Sequence, residues 1–221
     1  MNSRPEVPFP RRPLYTLADG DTLGEAQLPA AVEAMAQAGV EWIQVRAKSI
    51  PSDRLHALLQ EIERRLEGSA SHLWLNDRVD LAALLPSAVL RGVHLGQDDL
   101  PIAAARKVLG PLWLGQSTHN LQQWTAAAAN LEVDVLAVGP VFATTGKADP
   151  EPVVGLEGVT QARQAIDASP RPGRPLVAIG GIDADRMPRV LEAGADVVAV
   201  LGEACRGDIV RNCRRLLEAA A

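Results

Sequence analysis

The sequence has few aromatic residues, no excess of positive charge and no apolar segment long enough to cross a bilayer. Aromatic residues make up 3% of its 221 residues, so Ala, Val, Leu and Ile must supply most of the core. A formal net charge of -5 gives no basic surface for a phosphate backbone, which argues against a nucleic-acid partner. No signal peptide precedes the first apolar run, so we expect no membrane partner and a cytoplasmic location.

Cysteine is nearly absent as well. Cys205 and Cys213 both fall in the segment predicted to be the final helix, roughly 12 Å apart along its axis. That separation is too long for a disulfide. Neither residue has a His or a second Cys at zinc-ligand spacing, so both are predicted to be free structural residues in a reducing compartment.

Short apolar runs recur along the chain, and helical periodicity separates them. The eight runs span residues 13–18, 41–47, 72–76, 92–96, 112–117, 133–139, 175–181 and 195–202. Strand then helix, eight times, without a Gly-x-Gly-x-x-Gly turn after the first strand, favours a closed (β/α)8 TIM barrel over an open doubly wound sheet. We therefore expect a single α/β domain over residues 13–221, preceded by a flexible proline-rich arm at residues 1–12.

The run WIQVRAK at residues 42–48 places polar side chains on a strand that otherwise looks buried. Because side chains alternate along a strand, Gln44, Arg46 and Lys48 share one face and the apolar residues share the other. In a closed barrel the polar face points into the lumen. Cations inside a core are costly unless an anion meets them, so this face predicts an anionic ligand.

Most other polar residues suited to chemistry follow a predicted strand, at the end where TIM barrels carry their active sites. They are Asn76, Asp77, Asp98, Asp99, Ser117, Thr144, Thr145, Lys147, Gly180, Gly181 and Gly202. The cations suit a pyrophosphate, and the glycines suit a phosphate monoester bound by backbone N–H groups and a helix N-terminus. Asp77 with Asp98 or Asp99 suits Mg²⁺. Plainer interpretations remain, because strand-end aspartates often cap helices and Gly-Gly is common in turns.

The order and spacing of these motifs resemble the thiamine phosphate synthase family. The matching segments are QVRAK (44–48), LND (75–77), GVHLGQDDL (92–100), LGQSTHN (114–120), GPVFATTGK (139–147), GLEG (155–158) and VAIGGI (177–182). Members of that family are TIM barrels that use Mg²⁺ to join an aminomethylpyrimidine diphosphate to a thiazole phosphate, releasing pyrophosphate. The resemblance implies two small-molecule substrates, and it leaves assembly into a homo-oligomer open.

The resemblance also implies a role for particular residues. The pyrimidine diphosphate would contact Gln44, Arg46, Lys48, Asn76, Ser117 and Lys147, and the thiazole phosphate would contact Thr144, Thr145, Gly146, Gly181, Leu201 and Gly202. Asp77 and Asp99 would hold Mg²⁺, since the family's motif matches the second Asp of QDD. Arg46, Lys48, Ser117 and Lys147 would be catalytic, because stabilising the departing pyrophosphate lets the pyrimidine leave as a benzylic-type cation.

Two positions depart from the family's pattern. Gly146 replaces a threonine of the loop, and Gly202 and Glu203 stand where the family has Ser-Ala. A carboxylate at position 203 should weaken phosphate binding unless it turns to solvent or lies at a helix start. Two alternatives follow, a thiazole tautomerase-like relative and a non-catalytic protein that binds thiazole phosphate or thiamine phosphate. Neither needs the carboxylate pair of Asp77 and Asp99.

Overall fold

The computed structural model describes residues 7–85, 87–144 and 151–220. Eight parallel strands close into a barrel in chain order, which confirms the predicted TIM barrel. The strands are β1 (Leu14–Asp19), β2 (Trp42–Arg46), β3 (His72–Asn76), β4 (Leu90–Leu95), β5 (Trp113–Thr118), β6 (Val135–Val138), β7 (Leu176–Ile179) and β8 (Val197–Val200). The helices are α1 (Gly20–Leu23), α2 (Leu28–Gln37), α3 (Ser52–Leu66), α4 (Val79–Leu84), α5 (Ile102–Leu109), α6 (Leu121–Ala129), α7 (Gly155–Asp167), α8 (Met187–Glu192) and α9 (Ile209–Ala219).

The strands separate two apolar clusters. Outward-facing residues such as Ile43 and Val45 pack against the helices, as the alternation in β2 predicts. The inward-facing cluster contains most of the chain's few aromatic residues. These are Tyr15, Trp42, Trp74 and Trp113, whose neighbouring ring centroids are 5.3 to 5.8 Å apart. Gly92 makes room for them, since a Cβ atom there would lie 2.5 Å from the Trp74 ring. The lumen is therefore a packed aromatic floor beneath the carboxyl ends of the strands.

Residues 7–12 lie against the amino-terminal end of the barrel. Val7 is buried in the lumen cluster, and the Arg11 Nε atom donates to Glu41 Oε1 at 2.6 Å. The Arg12 Nη1 atom donates to the Leu217 carbonyl oxygen at 2.9 Å, which ties this segment to α9. The predicted arm also includes residues 1–6, which lie outside the described residues.

The cysteine prediction is correct in part. Both cysteines are free and buried. Cys205, however, lies in a turn before α9 and not inside the final helix, and its Sγ atom donates to the Leu17 carbonyl oxygen at 2.9 Å. Over the described ranges, no helix combines the length and apolarity that crossing a membrane requires.

Candidate active site

Arg46 ends β2 on the lumen face, where it meets a carboxylate from the neighbouring strand. Asp19 ends β1 directly opposite Arg46 in the strand register. The Arg46 Nη1 atom lies 2.5 Å from Asp19 Oδ1 and 3.7 Å from Asp21 Oδ2. Asp19 thus supplies an anion from within the chain, so burial of the Arg46 cation does not by itself require an anionic ligand.

Gln44 lies one layer deeper in the lumen than Arg46. It is 3% exposed, and its Nε2 atom donates to the Tyr15 Oη atom at 2.6 Å. Burial raises the pKa of Tyr15, so its hydroxyl stays protonated. Asn76, the last residue of β3, is half-buried and stands opposite His94 in the register. Gln44 and Asn76 thus border the aromatic floor of the lumen.

Lys48 lies two residues beyond β2 and reaches the loop after β3. Its Nζ atom is 3.1 Å from Asp77 Oδ2. Within the described residues, Asp77 is the one non-glycine residue with a positive φ, at 61°. Such a conformation costs energy and is often found at functional sites. Asp77 does not cap α4, which begins at Val79 without a side-chain cap, so the capping interpretation is excluded.

The carboxyl groups of Asp77 and Asp99 lie side by side. Burial and the neighbouring Asp99 raise the pKa of Asp77, and Lys48 opposes that shift. The Asp99 Oδ2 atom also accepts a hydrogen bond from the Gly96 N–H at 2.6 Å, which orients this side chain. Asp98, the alternative partner, is exposed. Two adjacent carboxylates repel each other unless a cation lies between them, and the second Asp of QDD is the one placed to share it.

This donor set fits Mg²⁺. Across residues 7–85, 87–144 and 151–220, no group of three or more His, Cys, Asp or Glu side chains is placed to hold a metal. The pair would therefore supply two oxygen ligands, with water and phosphate oxygens completing the shell. Mg²⁺ is commonly bound in this way, by one or two carboxylates and a phosphorylated substrate.

Ser117 and His94 form the next contact around the rim. The Ser117 Oγ atom is 2.9 Å from His94 Nε2. The histidine is buried against Gly115, where a Cβ atom would overlap the imidazole ring. Burial lowers the pKa of His94 to about 4, so the ring is neutral at pH 7. His94 thus faces the lumen, and its Nε2 atom contacts Ser117 at the carboxyl end of β5.

The loops after β6 and β7 pack on each other opposite the carboxylate pair. Gly180 and Gly181 have φ values of 106° and 62°, and Phe142 N–H donates to the Gly180 carbonyl oxygen at 2.9 Å. A Cβ atom at Gly181 would overlap the Ala143 carbonyl oxygen, so only glycine fits there. The Arg186 guanidinium covers the Phe142 ring at 4.9 Å and donates to the Gly181 carbonyl oxygen at 2.6 Å.

Only some of the other residues predicted to contact the substrates lie within the described residues. Thr144 lies half-buried at the end of the described β6 loop. Thr145, Gly146 and Lys147 lie outside the described residues. Leu201 packs on the lumen cluster, and the space beside the Gly202 Cα atom is open.

Residues 14–204 match the family described as thiamine monophosphate synthase. The chain belongs to the thiamine monophosphate synthase family. It is 40% identical over 195 residues to a thiamine-phosphate synthase from Koribacter versatilis, covering 86% of this chain and 87% of the relative. A thiamine-phosphate synthase from Albidiferax ferrireducens is 38% identical over 193 residues, with coverage of 87% and 84%. The solved thiamine phosphate pyrophosphorylase from Pyrococcus furiosus has a TM-score of 0.80 and 26% identity over 96% of both chains.

The thiamine monophosphate synthase family pattern is interrupted at Glu203, and the structure shows how this carboxylate is accommodated. Glu203 accepts hydrogen bonds from Arg215 on α9, at 2.9 Å from Nε and closer from Nη2. It therefore neither turns to solvent nor starts a helix, since α9 begins only at Ile209. The expected helix N-terminus beside Gly202 is likewise absent from the described residues, where turns follow β8.

Proposed function

We propose that this protein is a thiamine phosphate synthase. It would join an aminomethylpyrimidine diphosphate to a thiazole phosphate, giving thiamine phosphate and pyrophosphate. The observation that carries the proposal is the group formed by Arg46, Lys48, Asp77 and Asp99 at one mouth of the barrel. Cations beside a carboxylate pair suit a magnesium-bound diphosphate, which needs positive charge on its oxygens and acidic ligands on its metal.

The diphosphate would lie across the β2 and β3 ends of the rim. Arg46 and Lys48 would donate hydrogen bonds to its oxygens, with Lys147 from the β6 loop as a third cation. Asp77 and Asp99 would hold Mg²⁺, which when bound neutralises charge on the diphosphate oxygens. The pyrimidine ring would extend over the aromatic floor, within reach of Gln44, Asn76 and Ser117. These assignments follow the family resemblance, and the contacts among Arg46, Lys48, Asp77 and Asp99 support them.

The thiazole phosphate would bind on the opposite side of the mouth. Gly181 and Gly202 can bring backbone N–H groups close to a phosphate because neither carries a side chain. Leu201 would contact the thiazole, and Thr144, Thr145 and Gly146 would complete the phosphate site. The ion pair between Glu203 and Arg215 supports this assignment, since the guanidinium offsets the negative charge of the carboxylate that follows Gly202.

The reaction would proceed by breaking the bond between the pyrimidine methylene carbon and the diphosphate oxygen. The bonding electron pair leaves with pyrophosphate, whose growing charge Arg46, Lys48 and Lys147 stabilise. The thiazole nitrogen lone pair then forms the new C–N bond to the methylene carbon. No proton must move in either step, so the reaction needs no general acid or base. The packed aromatic floor would keep water from reaching the cation from below.

The test is pyrophosphate release by the purified protein with both substrates and Mg²⁺. Release that needs both substrates, yields thiamine phosphate and disappears in Asp77→Ala supports the proposal. Thiazole isomerisation without release would indicate a tautomerase-like relative, and tight binding without turnover a non-catalytic binding protein. We also propose that the protein acts in the cytoplasm. The proposal is the same for a monomer and for a homo-oligomer.

A further inference from the structure

Asp19 makes three polar contacts from an almost fully buried position. It is 4% exposed. Its Oδ1 atom binds the Arg46 Nη1 atom at 2.5 Å. Its Oδ2 atom accepts from the Thr22 N–H at 3.1 Å and from the Thr22 hydroxyl at 2.6 Å. One carboxylate therefore links the start of α1 to the guanidinium of Arg46.

Asp19 is also the main restraint on Arg46. Elsewhere in the described ranges, the Arg46 side chain makes no further hydrogen bond, and Asp21 Oδ2 is 3.7 Å away. Asp21 is itself bound by the Ser49 hydroxyl. A guanidinium has five N–H donors, so most of those on Arg46 remain for a ligand at the mouth.

We infer that Asp19 is a positioning residue that orients the Arg46 guanidinium toward the substrate diphosphate. The inference rests on the proposed function and deepens it. Arginine is a long, flexible side chain, and recognition of phosphate oxygens by its planar fork requires the fork to be held in one orientation. Asp19 is well suited to hold it, because the start of α1 fixes the carboxylate from its other side.

The charge of Asp19 acts in the opposite direction, since a carboxylate near a diphosphate repels it. That repulsion is weakened because both oxygens already accept hydrogen bonds from donors inside the chain. Orientation of Arg46 is therefore the larger effect, and removing the carboxylate should weaken diphosphate recognition. If repulsion were larger, the same change would strengthen it.

Asp19→Asn is the informative substitution. It replaces one carboxylate oxygen with an NH2 group, which must then face a donor, either Arg46 Nη1 or the Thr22 N–H. One of the two anchoring contacts is lost with little change in volume. Asp196→Asn is the matched control, because Asp196 Oδ2 also binds an arginine, Arg163 Nη1 at 2.8 Å, and a backbone N–H, that of Leu176 at 2.8 Å. Asp196 lies just before β8, at the opposite end of the barrel.

The experiment combines steady-state kinetics with calorimetric binding of inorganic pyrophosphate in Mg²⁺. Asp19→Asn should lower kcat/KM for the pyrimidine diphosphate and weaken pyrophosphate binding, each by about tenfold. The KM for the thiazole phosphate should stay within about twofold, as should every constant of Asp196→Asn. In an Arg46→Ala background, adding Asp19→Asn should change these constants by less than about twofold, because its effect passes through Arg46.

Three results would overturn the inference: full losses in the Arg46→Ala background, equal losses in Asp196→Asn, or tighter pyrophosphate binding by Asp19→Asn. Failure of the proposed function is a separate outcome, seen as a wild-type protein that releases no pyrophosphate from the two substrates. Pyrophosphate binding and its dependence on Arg46 can still be measured in that case.

Discussion

Lys48 Nζ lies 3.1 Å from Asp77 Oδ2, so the loop after β2 delivers a cation to the carboxylate of the loop after β3. Lys48 balances only part of the local negative charge, because Asp99 adds a second carboxylate beside Asp77. A divalent cation would complete the balance. This arrangement is the basis for the predictions about magnesium.

Asp77→Asn should lower the rate of pyrophosphate release by about a hundredfold, since losing even an outer-shell partner of a metal ligand typically costs about 10- to 100-fold and Asp77 would bind the metal directly. The measurement is initial rate against Mg²⁺ concentration. Asp98→Asn is the control, because Asp98 is the exposed neighbour of Asp99. Asp98→Asn should retain a rate within about twofold of wild type. Equal losses in the two variants would show that the pair has no special role.

The same Asp77→Asn change should stabilise the protein when Mg²⁺ is withheld. Burial and Asp99 raise the pKa of Asp77, so the folded protein disfavours its ionised form and loses stability as pH rises through that pKa. A neutral amide removes this cost at pH 7, and asparagine tolerates the positive φ. We expect the Tm in EDTA to rise by about 2 °C. A lower Tm would mean that the ion pair with Lys48 outweighs the repulsion.

Arg215→Ala should weaken binding of the thiazole phosphate and leave binding of the pyrimidine diphosphate unchanged. The substitution frees the Glu203 carboxylate beside Gly202, so the KM for thiazole phosphate should rise about threefold while that for the pyrimidine diphosphate is unchanged. Arg211→Ala, an exposed arginine on the same helix, is the control. Adding Glu203→Ala should restore the KM of Arg215→Ala. If the double variant stays impaired, the carboxylate is not the cause.

His94 should make the fold sensitive to acid. Its pKa is about 4 in the folded protein and 6.5 in the unfolded chain, so only the unfolded chain takes up the proton between these values. The contribution is fully present above pH 6.5 and is lost as pH falls toward 4, by about 3 kcal/mol in total. Urea unfolding at pH 7 and pH 5 should show a smaller pH effect for His94→Asn than for wild type. Identical pH effects would contradict the neutral, buried state.

The alternation of strands and helices was sufficient to predict the barrel, while short elements and exact ends were not. The helices α4 and α5 have six and eight residues, too few turns for a clear apolar periodicity. The first predicted strand ended at Ala18, although β1 continues to Asp19. That one residue concealed the partner of Arg46. Tyr15, Leu17 and Asp19 share a face of β1, so strict alternation carried one step further could have found it.

Contacts between distant residues could not be predicted in the same way. Asp19 and Arg46 are 27 positions apart and meet only through the register between two strands. Glu203 and Arg215 meet because α9 packs against the turn that follows β8. Such pairs depend on the three-dimensional path of the chain, whereas the strand-end positions of Asp77 and Asp99 follow from the motif itself.

The magnesium–diphosphate site at the barrel mouth is tested most directly by a crystal structure with Mg²⁺ and pyrophosphate, repeated with Mn²⁺ to locate the metal by anomalous scattering. We expect one ion within about 2.5 Å of carboxylate oxygens from both Asp77 and Asp99. We also expect pyrophosphate oxygens within hydrogen-bonding distance of Arg46 and Lys48. An ion bound elsewhere, or a diphosphate that contacts neither cation, would contradict the proposed magnesium–diphosphate site.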